Sequence, residues 1–133
     1  MNPGRELDAL VAEKVMGLEP WPEQDPRWQC KAFKAKIIPY GQEAKPCLPP
    51  EYSTDIAAAW EVMEKFKDRG LEVGWDKYRE KWFCTNLAED FRYAFDLDET
   101  EFKSTFNDNS IAVLADTAPL VICVAALKAV GAL

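Results

Sequence analysis

The chain has 133 residues, 48% of them apolar, with five Trp, four Tyr and seven Phe. That is enough to bury one core, and it fits one domain on a prior of about 100–200 residues per domain. Asp and Glu number 23 against 16 Lys and Arg, and the net charge of −7 argues against a dedicated binder of duplex DNA, whose affinity comes from cations that displace counterions. There is no histidine, which removes His-based triads, His proton shuttles and His-ligated metal sites.

Residues 5–16 place Leu7, Leu10, Val11 and Val15, with Leu18 beyond them, on one helical face. Gly17 supplies a stop, Pro20 prevents continuation, and Glu6 and Asp8 suit the positive end of the helix dipole. A proline-punctuated loop carrying Trp21 follows. Trp28–Cys30 and Phe33–Ile38 are β-compatible and predict one or two strands, before a second proline-rich loop from Pro39 to Pro50. Ser53 opens the clearest helix, with Ser53 or Thr54 as its cap and Asp55 in the first turn. Ile56, Ala59, Trp60, Met63 and Phe66 follow helical spacing, and Gly70 ends it. Leu71, Val73 and Trp75 alternate as a strand does. Trp82–Thr85 is a second β-like run, and residues 76–80 read as the turn between them. Residues 87–106 mix aromatics with acids and fit either a strand pair or a short helix plus loop. The last helix has Asp116 or Thr117 as cap and Pro119 in its first turn. From Leu120 to Val130 only Lys128 is charged, so it is a central core helix or part of a subunit interface. The order helix, strands, helix, strands, helix predicts a single α+β domain over residues 1–133: a mainly antiparallel sheet sandwiched by three main helices.

Cys30, Cys47, Cys84 and Cys123 form no C-x-x-C pair and are expected to be buried free thiols. The first residues lack the basic-then-apolar pattern of a signal peptide. The most apolar run, Ala118–Leu127, is shorter than the about 20 residues that span a bilayer, so a soluble protein in the host cytoplasm, with no membrane partner, is expected.

Three stretches, taken in order, resemble a known family. They are Gly4-Arg5-Glu6-Leu7-Asp8-Ala9-Leu10-Val11-Ala12-Glu13-Lys14-Val15-Met16-Gly17, then Tyr52-Ser53-Thr54-Asp55-Ile56-Ala57-Ala58-Ala59-Trp60-Glu61-Val62, and last Ala115-Asp116-Thr117-Ala118-Pro119-Leu120 leading into Ala125-Ala126-Leu127-Lys128-Ala129-Val130-Gly131. This set is similar to the phage ABA-sandwich domain of small phage and prophage proteins. The resemblance implies a sheet sandwiched between helices and a phage or prophage origin, but it supplies no catalytic residue set. By analogy with other small phage proteins, it suggests a non-enzymatic binder that sequesters a nucleotide signal of bacterial immunity.

Charge placement points to where such a ligand would bind. From residue 27 to 45, Arg27, Lys31, Lys34, Lys36 and Lys45 face Glu43 alone, interleaved with Trp28, Phe33 and Tyr40. Cations that neutralise phosphate beside rings that stack on a base suit a nucleotide, although lysines also protect a solvated strand edge. The expected ligand residues are therefore Arg27, Lys31 and Lys34 on phosphate and Trp28 or Tyr40 on the base. Ser53 and Thr54 are possible donors at a helix start, and Arg5 is a further phosphate ligand. Asp96-Leu97-Asp98-Glu99-Thr100 matches D-x-D-x-T of haloacid-dehalogenase-type phosphotransferases, but only 33 residues follow it. A Ca²⁺ loop fails there as well, with Glu101 where Gly is required. No metal, cofactor or catalytic residue is expected, and a homo-oligomer is. The alternative is an acidic protein-interaction module, in which residues 86–108, with seven acids against Arg92 and Lys103, meet a basic host partner. A hydrolase or phosphotransferase is the third and weakest reading.

Overall fold

Helix α1 (Arg5–Lys14) buries Leu7 and Val11 and rests Leu10 and Val15 on the same core, which is the face its spacing predicts. The Leu18 N–H reaches back to the Ala12 carbonyl at 2.9 Å, and Gly17, at φ 67°, supplies the left-handed residue that this closure requires. The structure, a computed structural model, describes residues 1–23, 30–35, 45–87 and 91–133. Strands β1 (Phe33–Lys34) and β2 (Pro46–Cys47) pair antiparallel as a short ribbon. The proline loop runs along its edge: Trp21 N–H donates to Ala32 O at 2.9 Å and Lys34 N–H to Glu19 O at 2.8 Å. The strand expected at Trp28–Cys30 and the extension of β1 toward Ile38 fall mostly on residues outside those described.

Helix α2 (Ile56–Glu64) starts later than its sequence suggests. Asp55 is the cap, accepting from the Ala57 N–H at 3.1 Å, while Ser53 is buried and Thr54 lies in the preceding turn. The buried face is Ala59, Val62 and, just past the helix, Phe66; Ile56 and Trp60 of the predicted stripe are half exposed, at 51% and 52%. The reason lies in the partner. Helix α2 packs mainly against the C-terminal helix, and the small Ala59 side chain permits a close approach where Trp60 would hold the two apart. A 3₁₀ turn (Lys67–Arg69) and Gly70 lead into the main sheet.

That sheet has three antiparallel strands in the order β3 (Glu72–Asp76), β4 (Lys81–Thr85), β5 (Ala112–Ala115). The hairpin between β3 and β4 is the one expected. Asp76 Oδ1 accepts from the backbone N–H of Tyr78 at 3.0 Å and of Arg79 at 3.3 Å, so the aspartate side chain builds its own turn. Strand β5 was not anticipated. Among residues 87–106, the described ones, from 91 on, form helices rather than a strand pair, α3 (Phe91–Ala94) and α4 (Glu99–Thr105), the latter capped by Asp98 accepting from the Glu101 N–H at 2.8 Å.

Register places Val73, Cys84 and Val113 on one face of the sheet and Gly74, Phe83 and Leu114 on the other. Helix α5 (Ala118–Ala129) covers the first face. Thr117 caps it, and Leu120, Val121, Ile122, Cys123, Ala125, Ala126 and Leu127 are all buried, which makes it the central core helix of the two predicted alternatives. Each buried Val, Leu or Ile there contributes about 1.5–3 kcal/mol against leaving it exposed. Helices α1 and α2 pack on α5. On the second face the Phe95 ring, from the turn after α3, meets Phe83 with centroids 6.4 Å apart. Tyr93, Phe102 and Phe106 form a second aromatic cluster between α3 and α4, with Phe106 centred 5.7 Å from Tyr93 and 5.0 Å from Phe102. The expected α+β sandwich is present: α5, backed by α1 and α2, covers one face of the sheet, and the Phe95 ring meets the other.

Candidate functional site

The residues singled out for ligand binding separate into three groups. Arg27, Trp28 and Tyr40 lie outside the described residues, as do Lys36 and Glu43. Three cations are described, and each reaches one glutamate: Arg5 to Glu51 at 3.7 Å, Lys31 to Glu13 at 2.9 Å and Lys34 to Glu19 at 2.8 Å. The Lys31 ammonium, by hydrogen bonding to Glu13, holds that carboxyl below the ordinary glutamate range. Lys31 and Glu13 also border a small hollow of about 220 Å³, with Glu6, Ala9, Leu10 and Cys30. The third group is Ser53 and Thr54, which do not cap α2.

Ser53 has a structural partner instead. Its Oγ–H donates to Asp8 Oδ1 at 2.6 Å, its backbone N–H donates to the same oxygen at 2.8 Å, and its Oγ accepts from the Gly4 N–H at 2.9 Å. Asp8 and Ser53 are both buried, so this node ties α1 to the loop before α2 and leaves the hydroxyl committed.

The D-x-D-x-T acids are occupied in the same way. Asp96 receives Arg79 Nη2 at 2.6 Å, and Arg79 Nη1 also bridges to Asp76 Oδ2 at 2.8 Å. Burial pushes the Asp76 carboxyl up, but the Arg79 guanidinium and the two turn N–H groups outweigh it and leave it below the usual carboxylate range. Asp98 serves as a cap, and the N–H groups it accepts from lower it too. Among the described residues no three Cys, Asp or Glu side chains gather as metal ligands. All four cysteines are free, with Cys30, Cys84 and Cys123 buried as expected and Cys47 partly exposed. Burial pushes the Cys84 and Cys123 thiols up to about 12. A thiol in that state is protonated at neutral pH and is a poor nucleophile.

A larger groove, about 490 Å³, opens where one end of the sheet meets the C-terminus of α5. Leu71 before β3, Asn86 after β4, Asn109 and Ile111 before β5, Ala129 at the end of α5 and Arg69 of the 3₁₀ turn line it. Leu71 and Ile111 form a buried apolar floor. The Asn86 carboxamide donates to Asn109 O at 2.6 Å and accepts from the Ile111 N–H at 2.8 Å, which extends the β4–β5 ladder by a side chain. The Arg69 guanidinium stacks 5.6 Å from the Phe66 ring centre and donates to Ala129 O at 3.4 Å. Sequence reasoning passed over Arg69, Asn86 and Asn109. Nothing in the pattern Lys67-Asp68-Arg69-Gly70 or in two isolated asparagines marks them, because only strand pairing brings them together.

The sequence profile of the phage ABA sandwich domain matches residues 9–100, more than half of the chain. The chain belongs to the phage ABA sandwich domain family. Its fold is similar to that of a crystallised phage protein from Bacillus cereus ATCC 14579, with a TM-score of 0.59 and 23% sequence identity over 97% of this chain and 92% of that one. At that identity the likeness speaks for the fold. No curated protein matches the chain. The family profile stops near the start of α4, so β5, α5 and the third of the stretches that carried the resemblance, Ala115 to Gly131, lie outside the matched residues.

Proposed function

We propose that this phage-family protein is a non-catalytic binder that sequesters an anionic, nucleotide-type molecule in the cytoplasm of the host. The observation that carries it is the pairing of the surface cations. Arg5, Lys31 and Lys34 are each held by a single glutamate at the surface, and such exposed pairs contribute only about 0–1 kcal/mol. A phosphate exchanges for the carboxylate at little cost and gains a charge-assisted hydrogen bond. The protonated thiols and the carboxylates spent on caps, turns and ion pairs favour holding a ligand over transforming it.

The test is to purify the full chain from phage-infected bacteria, denature it, and weigh the released small molecules. A nucleotide near one per chain, chemically unchanged, is the expected result; a folded chain that releases no anion contradicts it. The alternative of an acidic protein-interaction module draws on one feature, the exposure of Glu99, Glu101, Asp108 and the Tyr93 ring within the acidic segment. It predicts capture of a basic host protein that salt releases steeply.

A further inference from the structure

We propose that the groove at the sheet end is a binding site for a mononucleotide-sized molecule, its phosphate on Arg69, its planar ring over Leu71 and Ile111, and its polar ring edge against Asn86 and Asn109. The assignment rests on the anion-binding function proposed above, but it places the contact on a different surface from Lys31 and Lys34.

Arg69 differs from the other described arginine side chains. Arg5 and Arg79 each engage a carboxylate, whereas among the described residues Arg69 meets a carbonyl oxygen and an aromatic face alone, which leaves most of its five N–H donors unspent there. The guanidinium lies over the Phe66 ring, 5.6 Å from its centre, and that cation–π contact holds it near the groove without consuming its N–H donors. The carbonyls at the end of α5 carry partial negative charge, so without Arg69 this corner of the groove would repel an anion.

The rest of the lining suits an uncharged ring. A volume of about 490 Å³ lies within the about 300–1,000 Å³ typical of small-molecule sites, and a floor of two branched aliphatic side chains accepts a flat heterocycle. Asn109 forms no side-chain hydrogen bond among the described residues, and Asn86 keeps one amide N–H beyond its ladder contacts. A carboxamide presents a donor beside an acceptor, the pattern that reads the polar edge of a nucleobase. Two glutamates border the Lys31 hollow, whereas among the described residues no carboxylate lines this groove.

The experiment titrates the folded full chain with the four common nucleoside 5′-monophosphates, and with ribose 5-phosphate, by calorimetry. At least one nucleotide is expected to bind more tightly than ribose 5-phosphate. Arg69→Ala is expected to weaken it by about tenfold to a hundredfold, the range for a lost charge-assisted hydrogen bond. Asn109→Ala, at an exposed side chain, is expected to erase the preference between bases while leaving ribose 5-phosphate unchanged. Lys67→Ala, two residues earlier in the same turn and not among the lining residues, is expected to keep full affinity. Unchanged binding in Arg69→Ala together with its loss in Lys31→Ala would overturn this site and leave the sequestering function standing. Binding of no monophosphate by the folded chain would overturn the site as well, and the molecules released from infected-cell protein would then judge the function separately.

Discussion

Replacing Gly74 with alanine puts one methyl group into the outer layer of the sandwich, and its cost can be worked from geometry. Gly74 faces Phe83 across the β3–β4 pair, and a Cβ there would lie 2.6 Å from Cζ and 2.9 Å from Cε1 of that ring. Real Cβ atoms do not approach carbon so closely, so the ring must move, and Phe95 stands against it with ring centres 6.4 Å apart. Overpacking of this kind costs about 1–3 kcal/mol. The backbone at Gly74 is not left-handed, so alanine itself returns about 0.5–1 kcal/mol by restricting the unfolded chain. The expected net loss for Gly74→Ala is about 0–2.5 kcal/mol, and the coupling to Phe83 rather than the net figure carries the test. Phe83→Leu removes both Cε1 and Cζ, so in that background Gly74→Ala is expected to be neutral or mildly stabilising. Urea unfolding of the four proteins measures the coupling, which should exceed the about 0.3–0.5 kcal/mol within which independent sites add. Equal costs in both backgrounds would refute the placement of the Phe83 ring over Gly74.

Other outcomes follow from the same contacts. Ser53→Ala deletes the hydroxyl that donates to buried Asp8 and is expected to destabilise the chain by about 1.5–3 kcal/mol, read by thermal or urea unfolding; a loss under about 0.5 kcal/mol would contradict the node. The folded Asp76 carboxyl sits below its unfolded value near 3.9, so its contribution to stability is present above that pH and disappears as pH falls through the folded value. Stability measured from pH 5 downward should therefore decline less steeply in Asp76→Asn than in the parent, and equal slopes would count against the Arg79 contact. Thiol labelling at pH 8 should mark Cys47 first and reach Cys84 and Cys123 only after unfolding; early labelling of either would contradict their burial.

The long elements were legible because their periodicity is strong. Leu7 and Val11 recur at four-residue spacing, Leu71 to Trp75 alternates, and the residues from Leu120 to Leu127 are apolar on every side, which only a helix covered on most of its circumference tolerates. Strand β5 was missed because its four residues, Ala112–Ala115, are all apolar and carry no alternation; pairing with β4 makes them a strand. The buried face of α2 was displaced for a similar reason. Trp60 is the more hydrophobic residue by size, yet Ala59 is buried because its smallness suits the approach of α5. Ser53 looked like a cap from its place before a helix. A buried aspartate 45 positions earlier claims it, and local sequence holds no sign of that partner. The candidate site was legible only in part. Lysines and aromatics are conspicuous in a sequence, whereas Arg69, Asn86 and Asn109 become a lining only once three strand ends and the terminus of α5 converge.

Sequestration is tested most directly by a depletion experiment. The full chain is mixed with a filtrate of small molecules from phage-infected bacteria, separated by ultrafiltration, and then denatured, with both fractions weighed by mass spectrometry. The account predicts that one anionic nucleotide leaves the filtrate in proportion to the protein added and returns on denaturation with its mass unchanged. A filtrate that keeps every nucleotide, or a nucleotide that disappears and returns at a different mass, would contradict it.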